Sequence, residues 1–115
     1  QQPPVQQPPV QQPPAVTPNI VIDRIDLAGE VVTITNRSGF DVDMSGWKLV
    51  SVTGNQKYHF PYGYVLKAGA SVRITSGPSA GDGAGTLKWT TANIWNNSGD
   101  PGKLYDLNDN VISSK

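Results

Sequence analysis

The chain has 115 residues, enough for one domain, and its nine basic and nine acidic side chains give a formal net charge of zero. Because these charges are interspersed, the sequence predicts weak long-range attraction to nucleic acid or to an anionic membrane. The absence of cysteine excludes disulfides, thiolate nucleophiles and cysteine-ligated zinc, and no apolar run approaches the roughly 20 residues of a membrane-spanning helix.

Residues 1–14 repeat the unit QQPPV almost three times. Pro-Pro pairs favour polyproline II, and the repeat offers nothing for a packed core, so we predict a disordered or extended Pro/Gln-rich linker over residues 1–18. A ligand for a proline-binding groove is the alternative, but no Arg or Lys flanks the prolines to orient a partner. A linker implies a neighbouring domain, and we therefore expect the chain to belong to a longer protein.

From Asn19 onward the sequence predicts short strands separated by turns. The first begins at Ile20, and its inward-facing parity changes near Asp23–Arg24, which indicates a bulge. In the second, residues 30–36, apolar residues alternate with threonine. Further strands are predicted over residues 47–52, 57–60 and 70–75, and as a closing hairpin of 103–106 against 110–113.

Residues 76–86 contain five glycines or prolines and no large apolar side chain, which predicts a mobile surface loop. No stretch has the apolar stripe of an amphipathic helix. Short strands at spacings of about 8–12 residues, separated by Gly, Pro and Asn turns, favour an all-β sandwich or barrel. Trp47, Phe60 and Trp95 are predicted to lie in its core, where aromatic rings bury a large area.

Several stretches in order resemble the lamin tail domain, an immunoglobulin-like β-sandwich of nuclear lamins and of many secreted or surface bacterial proteins. They are residues 29–36 (GEVVTITN), 44–49 (MSGWKL), 58–61 (YHFP), 66–69 (LKAG), 94–100 (IWNNSGD), 104–106 (LYD) and 110–111 (NV). The resemblance implies a sandwich of two antiparallel sheets over residues 19–115. Val31 stands where relatives often have an aromatic residue, and a Pro/Gln linker stands where a nuclear lamin has its coiled-coil rod.

This second departure favours the bacterial, extracellular or cell-surface setting. There the resemblance implies a non-catalytic interaction or targeting module, appended to a larger secreted protein and positioning a neighbouring hydrolase. It implies a protein or cell-surface component as partner, and no cofactor, and we expect a monomer. Lamin tail domains supply no catalytic residues, so none is carried over to this chain.

The residues themselves also favour a protein that is not an enzyme. His59 is the only histidine, and a catalytic triad or a histidine-based zinc site would need partners that the sequence does not offer it. Residues Asp106–Asn110 resemble the start of a calcium-binding loop, but Val111 replaces the required glycine, so a hairpin tip is predicted. Asp82 and Asp100 could form only a weak calcium site on the surface, and we predict no metal site.

The remaining aromatic rings suggest an alternative function. Tyr62, Tyr64 and Trp89 lie near the 76–86 loop in the sequence and are predicted to be the exposed rings of a possible binding surface. Such rings can stack on sugars or on unpaired bases, which predicts a carbohydrate- or nucleic-acid-binding module. A shared basic surface would favour nucleic acid, and its candidate side chains are Lys48, Lys57, Lys88 and Arg73.

Overall fold

The structure is a computed structural model that describes residues 18–115, and within them it contains ten β-strands. The strands are β1 (Ile20–Asp26), β2 (Val31–Asn36), β3 (Val42–Asp43), β4 (Lys48–Ser51), β5 (Gln56–His59), β6 (Val65–Leu66), β7 (Ser71–Thr75), β8 (Thr86–Lys88), β9 (Gly102–Tyr105) and β10 (Val111–Ser114). The predicted linker lies outside the described residues except for its last residue. In the part of the chain that is described, no helix has the length and apolarity needed to cross a membrane.

The strands form two four-stranded sheets and one two-stranded ribbon. Sheet I has the order β1-β2-β7-β8, sheet II has the order β10-β9-β4-β5, and β3 pairs with β6. The inward-facing side chains of each sheet are buried, such as Val32 and Ile34 on β2 and the paired Leu49 and Leu104 in sheet II. These side chains belong to one hydrophobic core, which confirms the predicted all-β, immunoglobulin-like sandwich.

The predicted bulge in β1 decides which side chains face outward. The register between β1 and β2 shifts between Ile22 and Arg24, so Asp23 is the extra residue. Ile22 is buried, and strict alternation would also turn Arg24 inward. Because of the shift, Arg24 instead faces solvent, and Ile25 packs against the core.

One strand pair departs from the expected antiparallel arrangement. Strands β7 and β8 run parallel, with Arg73 opposite Thr86. Parallel neighbours need a crossover connection rather than a tight turn, and the small residues of 76–86 carry no pattern that reveals one. The predicted loop is also hydrogen-bonded to β7. The Thr75 hydroxyl donates to the carbonyl of Gly81 (3.0 Å) and accepts from its amide (3.1 Å).

Three short strands, β3, β6 and β8, were not predicted, because two or three residues cannot display an alternating pattern. The closing hairpin is confirmed, with Val111 opposite Tyr105. Trp47, Phe60 and Trp95 are buried, which confirms their assignment to the core.

Candidate interaction surfaces

Among residues 18–115, two carboxylates are buried, and both are hydrogen-bonded to other parts of the fold. Glu30, only 6% exposed, occupies the turn between β1 and β2 with a positive φ of 60°. This left-handed conformation costs about 1 kcal/mol for a residue with a side chain. Three hydrogen bonds to the carboxylate offset that cost. Its donors are the Ile94 amide (2.6 Å), the Trp95 amide (3.0 Å) and the Ser76 hydroxyl (2.8 Å).

Asp100 is buried near Glu30, beside the same loop. Its carboxylate accepts hydrogen bonds from the Ser51 hydroxyl (2.6 Å) and from the amides of Thr53 (3.0 Å) and Asn96 (3.2 Å). We call the region around Glu30 and Asp100 the carboxylate end of the sandwich. Both acids accept hydrogen bonds from the protein's own donors, which is a structural use of a buried charge.

The opposite end of the sheets is closed by a buried amide. Asn36 donates from Nδ2 to the carbonyls of Phe40 (2.9 Å) and Leu66 (2.8 Å), and its Oδ1 accepts from the amide of Ser38 (2.8 Å). We call this region the amide end. Asn36 thus satisfies backbone groups where β2 ends.

The other polar residues considered for chemistry lie on the surface. His59 is exposed on β5, opposite Lys48. Asp106 forms the predicted hairpin tip. Partial burial opposes its ionisation, but hydrogen bonds from Asn110 hold the pKa of its carboxyl below the ordinary value. Asp82 accepts the amide of Lys88 (2.8 Å). In the described residues no three His, Cys, Asp or Glu side chains are arranged around a possible metal position.

Five aromatic rings form a continuous chain, which we call the aromatic belt. Its neighbouring ring centroids are separated by 5.9 Å (Tyr64–Phe60), 5.2 Å (Phe60–Tyr58), 5.8 Å (Tyr58–Trp89) and 6.1 Å (Trp89–Trp95). Tyr58 comes from β5 of sheet II, whereas Trp89 directly follows β8 of sheet I. The aromatic belt therefore closes the seam between the two sheets at their open edges.

The three predicted binding rings occupy different environments. Tyr64 and Trp89 belong to the aromatic belt and are half-buried against the core. Tyr62 is 96% exposed, and among residues 18–115 it makes no ring pair with either. Burial raises the pKa of the Tyr64 hydroxyl and, together with the nearby negative charge of Asp82, that of Tyr58.

The outer face of sheet I carries a row of arginine and threonine that the sequence analysis missed. The strand register aligns Arg24, Thr33, Arg73 and Thr86 across all four strands. Two surface depressions of about 390 and 400 Å³ flank this arginine row, and Thr33 and Arg73 line both. Alternation within β2 and β7 suggests that Thr33 and Arg73 face outward, but only the register makes them neighbours.

The outer face of sheet II carries a comparable lysine row. Lys57 and Lys103 flank Val50 on its two neighbouring strands, and Val50 is only 7% exposed although it points away from the core. Long cationic side chains cover apolar surface while their ammonium groups stay in water, so we expect the aliphatic stems of the two lysines to cover Val50.

The four basic side chains considered for nucleic-acid binding do not form one patch. Lys48 and Lys57 lie in sheet II, and Arg73 and Lys88 lie in sheet I. Lys48 is also engaged locally, since it forms an ion pair with Asp109.

The two stacked sheets, whose ends are closed by buried polar side chains, define the class of the protein: a small immunoglobulin-like β-sandwich domain. The family model of the Lamin Tail Domain matches residues 13–114. The chain therefore belongs to the lamin tail domain family, as the motifs in the sequence predicted. Members of this family are non-catalytic, immunoglobulin-like modules that serve in interactions.

Proposed function

We propose that this domain is the interaction module of a larger secreted or cell-surface bacterial protein, and that it positions a neighbouring hydrolase at its substrate. One observation carries the proposal. Glu30, Asp100 and Asn36, which are buried polar side chains, are hydrogen-bonded within the fold, whereas the outer faces and the edge strand β5 are exposed. This distribution suits a domain that binds rather than one that catalyses.

The edge of β5 favours a protein partner. The Phe60 amide donates to the Trp47 carbonyl (2.8 Å). In an antiparallel pair every second residue is hydrogen-bonded to the neighbouring strand, so counting back from Phe60 the next residue of β5 bonded to β4 is Tyr58. The backbone groups of Lys57 and His59 therefore point away from sheet II. An extended peptide can add to such an edge by main-chain hydrogen bonds.

The edge of β8, in contrast, is covered by a neighbouring part of the chain. Gly83 and Thr86 exchange two backbone hydrogen bonds (3.1 Å each), and the Asp82 side chain accepts the amide of Lys88. The chain thus covers its own edge at β8, which leaves β5 as the better candidate for strand addition.

A second candidate function is binding of carbohydrate or nucleic acid through aromatic rings. The observation in its favour is the almost complete exposure of Tyr62, because a large exposed ring costs solubility and is often retained for binding. Half-buried Tyr64 and Trp89 would contribute the edges of their rings.

Deletion of residues 19–115 from the full-length protein tests the positioning role. The experiment compares hydrolysis of a soluble substrate with hydrolysis of the same substrate on intact cells or insoluble particles. We expect kcat/KM on the soluble form to stay within about twofold and on the particulate form to fall about tenfold or more, because anchoring raises the effective substrate concentration. Equal losses on both forms, or no loss on either, would contradict the proposal.

Point variants then separate the two binding modes. Lys57→Pro removes one outward amide of β5, and an edge strand tolerates proline at such a position. Lys57→Gln removes the same charge but keeps the amide, so it is the matched control. Strand addition predicts that only the proline variant loses retention on the particles. Loss in Tyr62→Ala, with the proline variant unaffected, would favour the aromatic surface instead.

A further inference from the structure

We propose that the outer face of sheet I binds an acidic polysaccharide, and that the arginine row holds its carboxylate or sulfate groups. Arg24 and Arg73 lie on β1 and β7, with Thr33 on the strand between them. Neighbouring strands are about 4.8 Å apart, which puts the two arginine backbones about 10 Å apart. The inference goes beyond the proposed positioning role and does not need a neighbouring hydrolase.

Both guanidinium groups are available to a ligand. The ion pairs among residues 18–115 are Arg37–Asp23, Lys48–Asp109 and Lys67–Asp41. None of them uses Arg24 or Arg73. Within residues 18–115, the Arg73 side chain donates one hydrogen bond, to the hydroxyl of Thr86 (3.3 Å), its neighbour in the row.

The acidic side chains nearest the row are occupied elsewhere. Asp26 lines one of the two depressions, but its carboxylate accepts the amide of Gly29 (2.9 Å). Asp23 pairs with Arg37 (2.5 Å) and accepts a hydrogen bond from Thr35. Among residues 18–115, therefore, no acid forms an ion pair with either arginine of the row, although the charge of Asp26 offsets part of the positive charge there.

The bulge in β1 is a second observation that favours ligand binding at this face. If Asp23 were an ordinary paired residue of the strand rather than a bulge, strict alternation would turn Arg24 into the core. Bulges often re-aim a side chain at a binding site. Here the bulge brings the first guanidinium to the same face as Arg73.

The chemistry of the face selects the class of ligand. A guanidinium group binds a carboxylate or sulfate through two parallel hydrogen bonds, which an ammonium group cannot do. The hydroxyls of Thr33 and Thr86 line the depressions and can donate to and accept from sugar hydroxyls, whereas the Thr75 hydroxyl is already hydrogen-bonded to Gly81. The depressions thus offer charge and hydroxyl groups side by side, as an acidic sugar requires.

Nucleic acid fits this face less well. No aromatic residue lines either depression, so unpaired bases would find no ring on which to stack. Among residues 18–115 there is no α-helix that could enter a duplex groove from this row. We therefore favour a polysaccharide over a polynucleotide.

The test is affinity electrophoresis of the 115-residue chain through gels that contain polygalacturonate, dextran sulfate or neutral dextran, in a buffer well above its pI of about 6.8 so that the chain migrates. We expect retardation by polygalacturonate, dextran sulfate or both, and none by dextran, in about 0.15 M salt, where weak long-range attraction is largely screened. The two acidic polymers distinguish carboxylate from sulfate as the bound group. Retardation by neither polymer would overturn the proposal.

The lysine row provides the matched control. The double variant Arg24→Gln/Arg73→Gln is expected to bind at least about tenfold more weakly, whereas Lys57→Gln/Lys103→Gln should stay within about twofold of the parent. Equal losses of affinity in both double variants would show that net charge alone attracts the polysaccharide, and would refute a specific site at the arginine row. Arg24→Lys/Arg73→Lys keeps the charge and should still lose affinity, because it removes the bidentate geometry.

Two further measurements complete the test. Urea unfolding midpoints equal to that of the parent will show that the variants are folded, because all four substituted residues lie on outer faces. Stronger retardation by single-stranded oligothymidylate than by either polysaccharide would contradict our choice of ligand. A negative result with the polysaccharides would leave positioning through another partner intact, since the deletion experiment measures that role separately.

Discussion

The two ends of the sandwich are closed by buried side chains of different chemistry. At the amide end, Asn36 meets two carbonyl oxygens and one backbone amide. At the carboxylate end, Glu30 and Asp100 meet only donors, namely amides and hydroxyls. A carboxamide can donate and accept, whereas a carboxylate can only accept. The direction in which the surrounding loops turn their backbone groups therefore decides which side chain can close each end.

This difference matters for assigning function. A buried acid in a small domain is easily taken for a catalytic group, because burial and perturbed acidity are common in active sites. At the carboxylate end, however, the oxygens of Glu30 and Asp100 are already hydrogen-bonded to the fold. The two side chains connect the segment between β7 and β9 to β4 and to the turn before β2, and their removal should affect stability rather than any reaction.

The largest effect is expected in the core that both ends share. Trp47 is 5% exposed, so Trp47→Ala leaves a large cavity and should lower the free energy of unfolding by about 3–5 kcal/mol. Urea unfolding followed by circular dichroism measures this change. Tyr62→Ala removes an exposed ring and is the control, with an expected change within about 0.5 kcal/mol. Equal midpoints for Trp47→Ala and the parent would refute the core assignment.

Exchanging the chemistry of the amide end should have the next largest effect. Asn36→Asp replaces the donor with an oxygen that faces the carbonyls of Phe40 and Leu66, at an expected cost of about 3 kcal/mol near neutral pH. Protonation of the new carboxyl restores one donor, so the difference from the parent should shrink as the pH falls. Urea unfolding at about pH 7 and about pH 4 checks both statements. If the stability difference between Asn36→Asp and the parent grew on acidification, the amide end would not need a hydrogen-bond donor at position 36.

The reciprocal change at the carboxylate end should cost less. Glu30→Gln keeps the shape but places an NH₂ group against an amide of Ile94 or Trp95, and we expect a loss of about 2 kcal/mol. Asp109→Asn is the control, because it also removes one negative charge but from an exposed ion pair with Lys48. It should lower the free energy of unfolding by less than about 1 kcal/mol. Similar losses in the two variants would mean that the buried hydrogen bonds of Glu30 contribute little.

The smallest effect concerns the aromatic belt, which runs between the two ends. Burial raises the pKa of Tyr58 and Tyr64, so folding favours their neutral hydroxyls. Their contribution to stability is present below about pH 10 and is lost as the pH rises through the higher pKa values of the folded state. Urea midpoints measured from pH 8 upward should therefore fall less steeply in Tyr58→Phe than in the parent. Tyr62→Phe is the exposed control. If it changed the pH dependence of the urea midpoint as much as Tyr58→Phe does, the stabilisation could not come from burial of the Tyr58 hydroxyl.

Much of the fold could be predicted because its signals are local. Alternation in residues 31–36 defines β2, the change of parity at Asp23–Arg24 defines the bulge, and turn residues mark the closing hairpin. The order of motifs along the chain also identified the lamin tail domain family. Each of these signals needs only residues that are close together in the sequence, whose side-chain directions follow from the period of a strand.

Only the tertiary structure decided the parallel pairing of β7 with β8, the partners of Glu30 and the arginine row. Glu30 and Ile94 are 64 residues apart in the chain, and nothing near either residue reveals their hydrogen bond. Arg24 and Arg73 likewise become neighbours of Thr33 through strand register alone. The physical reason is that register and strand order depend on how distant segments pack, while the sequence by itself determines the direction of each side chain within its own strand.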